Sequence, residues 1–187
     1  MSAEYKSSLA PISNEAATGV AKEIMDATQA KLGFVPNMYR GMANSGGFLS
    51  TYIHGYTAFR ESSGFKPQEQ EVVFLIISRK NGCDYCVAAH SMIADKMSKL
   101  DAASLAAVRS GNPIPDAKLQ ALAAFTSHAF DARGMITNEN ATAFLAAGFS
   151  EQQIMEVILA IAVKTLSNYS NHIHHSEVDG AFTSYKV

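Results

Sequence analysis

The residues from Pro67 to Lys80, PQEQEVVFLIISRK, constrain the architecture more than any other segment. Val72 to Ile77 are six consecutive apolar residues, so whatever they form must be covered on every side. Their β-branched content would suit a buried strand, and periodicity alone does not separate the two readings. The start of the segment favours a helix: Pro67 fits the first helical position, and Glu69 and Glu71 fall where acids complement the helix N-terminus. A helix apolar on all sides belongs in the centre of a bundle or at a subunit interface.

The rest of the chain reads as further helices divided by Gly, Pro and Ser. Ser13 is expected to cap a helix through about Lys31, with Ala16, Val20, Ile24 and Ala27 at helical spacing; Gly33 and Pro36 end it. A second helix is expected from about Phe48 to Ser62, and another from about Cys83 after the Asn81-Gly82 break. Others are expected at about 101–110, 115–132, 137–147 and 150–172. Asp101 caps the first of these. Ser150 and Gln153 have capping-box spacing ahead of an apolar face of Ile154, Val157, Ile158, Ile161 and Leu166. The expectation is an all-α, single-domain bundle of about seven to eight helices over 1–187, with a redox core at about 48–132 and C-terminal helices at 137–175.

Net charge is −2 with 48% apolar residues, which leaves no basic footprint for nucleic acid and no polybasic membrane patch. No run approaches the length needed to span a bilayer, and the N-terminal residues have no apolar signal-peptide core, so a cytoplasmic protein is expected. In that compartment the only two cysteines, Cys83 and Cys86, are a poor static staple, because thiol pools would reduce them and the loop between them is very short.

Within RKNGCDYCVAAH (79–90), Cys83 and Cys86 are spaced i, i+3 and Cys86 and His90 i, i+4, so all three share one helical face. A helix N-terminus and a C-x-x-C motif both lower thiol pKa, which favours the nucleophilic thiolate. Such a pair can reduce a peroxide: one thiolate attacks the O–O bond, and the resulting sulfenic acid condenses with the second thiol. His90 would move the proton. Glu71 is the candidate to orient His90; the plainer reading makes it, like Glu69, a solvated acid of the first turn.

Glu71, Cys83, Cys86 and His90, in the pattern E-x11-C-x2-C-x3-H, resemble the active-site signature of alkylhydroperoxidase D-like proteins, within the carboxymuconolactone decarboxylase-like superfamily. LGFVPNMYRGMANSGGFL (32–49) and GFSEQQIMEVILAIAVKTLSNYSNHI (148–173) resemble the peroxidase-related branch, so the resemblance runs over roughly 30–180. It implies an all-helical homo-oligomer (dimer, trimer or hexamer) with peroxidase activity and no haem, metal, flavin or other cofactor. It also implies a carboxylate–histidine relay at Glu71 and His90, a peroxide substrate, and a thiol or lipoyl-type electron donor. Tyr85 departs from the best-studied members, which carry histidine before the second cysteine. The cysteine pair argues against decarboxylation.

Cys86 is expected to attack the peroxide, being one turn from His90, while Cys83, nearer the helix end and more exposed, resolves. The dipole alone would favour Cys83 as thiolate. A general thiol–disulfide oxidoreductase would use the same residues. A redox-sensing or zinc-binding protein is the alternative outside catalysis, with His172, His174 and His175 as further ligands. Asn168 and His172 resemble the peroxidase-related branch and are candidates to line the site. Tyr52, Tyr56 and Phe59 read as a packing stripe and Met92 and Met97 as core filling.

Overall fold

The computed structural model describes residues 4–187. Among these there is no strand. Nine α-helices follow one another: α1 Gly19–Leu32, α2 Asn37–Met42, α3 Gly46–Ser62, α4 Pro67–Lys80, α5 Asp84–Met92, α6 Ala102–Ser110, α7 Ala117–Asp131, α8 Asn138–Ala146 and α9 Glu151–His174. A π-helical turn, Ile93–Met97, continues α5, and a 3-10 turn, Gly180–Tyr185, closes the chain.

VVFLII is helical, and its surroundings account for its composition. Every residue from Glu69 to Ser78 is buried, because α4 packs against α5, α6, α7 and α9 at once. Its N-terminus is fixed as the sequence predicts, with Pro67 in the first turn. Glu69 is not the solvated acid expected. Its carboxylate accepts from the Lys66 backbone N–H at 2.7 Å and meets Lys118 Nζ of α7 at 3.0 Å. The capping box at α9 forms as read: Gln153 N donates to Ser150 Oγ at 3.3 Å and Ser150 N to Gln153 Oε1 at 3.0 Å.

The first helix begins later than Ser13. The Ser13 hydroxyl accepts from Ala16 N at 3.3 Å, which caps a single turn. Gly19 then sits at φ +53°, outside right-handed helical space, so that turn does not run on into α1. The short α2, the π-helical turn and the 3-10 turn were not anticipated. No single helix among the described residues is long and apolar enough to cross a membrane.

Candidate active site

A tight reversal between α4 and α5 places the cysteines. Asn81 ends α4 and Gly82, at φ +67°, turns the chain back, a conformation that costs glycine little. Cys83 is therefore the N-cap of α5, and its carbonyl accepts from Val87 N at 2.9 Å. Cys86 follows one turn inside. The two thiols are free, with no disulfide between them. Each cysteine is 2% exposed, so Cys83 is not the more accessible of the two, contrary to expectation: α9 and the C-terminal turn both pack on α5. Asn171 of α9 faces both, with Nδ2 donating to Cys86 Sγ at 3.3 Å and reaching Cys83 Sγ at 3.6 Å.

His90 lies on the next turn, 4% exposed, and its Nδ1 is 2.9 Å from Glu71 Oε2. Glu71 is fully buried, and its other oxygen is ion-paired with Arg60 of α3. Arg60 is held in turn by Tyr56 Oη at 2.9 Å and Gln70 Oε1 at 3.0 Å. Burial alone would raise the Glu71 carboxyl, but hydrogen bonding and charge from His90 and Arg60 reverse this and leave it below the usual carboxylate range. Burial first, and then the Lys164 ammonium, depress His90 to about 4 against the support of Glu71. At neutral pH the ring is therefore uncharged, the Glu71 carboxylate takes the Nδ1 proton as acceptor, and Nε2 carries a free lone pair.

The thiols split. Burial pushes Cys86 up, but hydrogen bonding from Cys83, the positive charge of Lys164 and the Asn168 and Ser167 side chains outweigh it and bring the thiol down. Cys83, which gives its hydrogen to Cys86 and is itself buried, is pushed up. The pair thus shares one proton less readily on Cys86.

Two hollows meet the cysteines from different sides. A cavity of about 660 Å³ contains Cys86, His90 and Lys164, and is otherwise walled mainly by apolar and aromatic residues such as Phe34, Tyr39, Tyr52 and Tyr56. Tyr52 and Tyr56 thus line the cavity as well as packing, and so do Met92 and Met97. The second hollow, of about 200 Å³ and more polar, is lined by Cys83, Asp84, Asn171, His172 and His175. Cys83 does not line the large cavity and Cys86 does not line the small one.

Of the remaining candidates, Asn168 is fully buried behind Cys86, its Oδ1 accepting from Asn81 Nδ2 at 2.8 Å. His172 lies on the polar side with Cys83. Tyr85 faces away from proton chemistry: its hydroxyl donates to Asp179 and accepts from Met38 N at 3.4 Å, and Asp179 also accepts from Asn37 N at 3.1 Å. Burial and the Asp179 carboxylate both raise it. Among the described residues no three His, Cys, Asp or Glu side chains converge as a metal site, so the cysteines and the histidines at 172–175 do not assemble into one. Sequence reading missed Arg60, Lys164 and Asn171. The last two carry a usable signal: Val157, Ala160, Lys164, Asn168 and Asn171 continue one buried face of α9 at spacings of three and four, so polar residues stand where apolar ones would be expected.

This architecture, all-α with a buried C-x-x-C pair at a helix start, is the alkylhydroperoxidase D-like fold. An alkylhydroperoxidase D core structure, a peroxidase-related protein from Ralstonia eutropha, superposes with a TM-score of 0.83 at 20% identity, covering 93% of each chain. A peroxidase-related protein from a Silicibacter species gives 0.75 at 19% identity over 93% of this chain and 90% of that one. The debrominase Bmp8, as a cysteine-to-alanine variant in complex with 2,3,4-tribromopyrrole, gives 0.77 at 16% identity over 98% and 97%. No family model matches the sequence, and no curated protein matches it significantly.

Proposed function

We propose that the chain is a cysteine-based peroxidase that reduces alkyl or hydrogen peroxides through a Cys83/Cys86 dithiol–disulfide cycle. The observation that carries this reading is His90, held at Nδ1 by the buried Glu71 and lining the same apolar cavity as Cys86. Cys86 loses its proton by way of His90 Nε2, and the resulting thiolate attacks the peroxide O–O bond, becoming a sulfenic acid. The departing alkoxide takes a proton through the same ring, whose transient positive charge Glu71 stabilises. The Cys83 thiol then displaces the sulfenic hydroxyl as water and closes the disulfide. A thiol or lipoyl-type dithiol entering through the polar hollow reduces the bond at Cys83. No metal or other cofactor takes part in this scheme.

Turnover of cumene hydroperoxide with a dithiol reductant is the direct test. Peptide mapping of the Cys83→Ser variant after peroxide should place sulfenic acid on Cys86. If the chain instead reduces small disulfides much faster than peroxides, it is a general thiol–disulfide oxidoreductase. Oxidation without turnover would mark a redox sensor.

A second reading is favoured by the aromatic walls beside Cys86 and by the bromopyrrole held in Bmp8. Here the Cys86 thiolate takes halogen from a halogenated aromatic, the ring carbon takes a proton, and Cys83 expels halide to form the same disulfide. Halide release from a bromopyrrole, equimolar with disulfide formed, distinguishes it.

A further inference from the structure

Lys164 is 1% exposed, yet among the described residues no hydrogen bond or ion pair holds its Nζ. Its ammonium lies over the Phe74 ring, 5.5 Å from the centroid. An ammonium withdrawn from water without a partner is expensive, so its position in the apolar interior requires a compensating charge. It lines the large cavity together with Cys86 and His90.

The groups around it narrow the choice. On α3, Arg60 is committed to Glu71 of α4, and these two charges cancel. Tyr56 is taken up by Arg60, and Tyr52 and Tyr39 of α2 are phenols pushed upward by burial, so none of them is an anion at neutral pH. On α5, His90 is neutral. The titratable side chains of α7 are engaged elsewhere: Lys118 with Glu69, Asp131 with Lys80, and His128 with Thr137 N. Cys86 is the remaining group able to carry a negative charge on the cavity floor.

We propose that the Lys164 ammonium is the counter-ion of the Cys86 thiolate, a buried pair present in the reduced protein and lost when the disulfide forms. The claim rests on reading Cys86 as the reacting thiol, and Lys164 acts through it as a positioning residue. Forming the disulfide consumes the thiolate and leaves the ammonium without its counter-ion, while the leaving group takes its proton through the His90 ring. Cys86 thiolate, Cys83 thiol, a hydroperoxide and one proton delivered through His90 become the disulfide, an alcohol and water. Thiol reduction of the disulfide restores the thiolate and with it the pair.

In a Cys83→Ser background, ultraviolet titration of thiolate absorbance reads Cys86 alone. Lys164→Met, which keeps length and apolar bulk, should raise the midpoint by about one pH unit and slow iodoacetamide alkylation at neutral pH about tenfold. Lys164→Arg should restore most of both. A merely structural lysine would shift melting temperature and leave the midpoint in place, and an unchanged midpoint overturns the proposal. Should Lys164→Met fail to fold, nuclear magnetic resonance of isotope-labelled lysine in the unaltered chain replaces it. One lysine side-chain resonance should move as Cys86 ionises in the dithiol form and stay in place over the same pH range in the disulfide form, and identical behaviour in both states overturns the proposal. Neither readout uses peroxide turnover, so a chain inert toward peroxides with a shifted midpoint would defeat the peroxidase reading and leave the ion pair standing.

Discussion

Glu71 is a carboxylate with no exposure to water, kept ionised by Arg60 on one oxygen and by the His90 ring on the other. Glu71→Gln leaves Arg60 buried without its counter-charge, at a cost of about 3 kcal/mol in urea unfolding. It also leaves one amide oxygen where Arg60 and His90 each met a carboxylate oxygen, so the His90 tautomer is no longer fixed and peroxide turnover should fall by roughly 100-fold or more. The pH dependence has one sign for both groups. Glu71 is depressed in the fold, so its contribution is present above the ordinary carboxylate range and disappears as pH falls through its folded value. Burial holds His90 down to about 4 in the fold against an ordinary imidazole value of about 6.5, so between these values the unfolded chain binds the extra proton. Stability should therefore fall on acidification across that window, by on the order of 3 kcal/mol from His90. His90→Gln should flatten that part of the profile in denaturation measured at stepped pH. A profile equally steep without the imidazole would remove His90 from the account.

At the scale of elements, the helices with chemical start signals were legible: Pro67 ahead of α4, Asp101 at α6, Ser150 with Gln153 at α9. Their signals are local, since a cap satisfies N–H groups three residues away whatever the rest of the chain does. The quartet Glu71, Cys83, Cys86 and His90 was legible by spacing, because α4 and α5 form a hairpin across one short turn. Lys164 and Asn171 lie more than 70 residues beyond the cysteines, so their place on the buried face of α9 marks them as unusual without saying what they face. The C-terminal 3-10 turn was invisible because it is held by tertiary contacts of Tyr85 with Asp179 and, at 6.2 Å between centroids, with Phe182. Tyr85→Phe should cost about 1–2 kcal/mol, since Asp179 loses a donor while keeping Asn37 N. Hydrogen exchange should quicken across 176–185 and leave α4 unchanged, a pattern that a general loss of stability would not produce.

At the scale of the whole molecule, α4 serves as an axle, with α5, α6, α7 and α9 against it and the dithiol set between the apolar cavity and a polar hollow. The cavity is far larger than hydrogen peroxide requires, so kcat/KM for cumene hydroperoxide should exceed that for hydrogen peroxide by about tenfold or more, from the apolar surface buried. Thr57→Trp, at an exposed position on the cavity lining, should lower the first value and leave the second nearly unchanged. Equal effects on both peroxides would place the reacting substrate outside this cavity.

That placement makes the sulfur pair a bulkhead between an oily compartment and a watery one. Electrons cross it as the disulfide opens and closes, while molecules on either side have no need to pass one another. Traffic in the two compartments should then be independent: a bulky apolar blocker lodged against Cys86 ought to compete with the oxidant and leave reduction of a preformed Cys83–Cys86 bond at its normal rate.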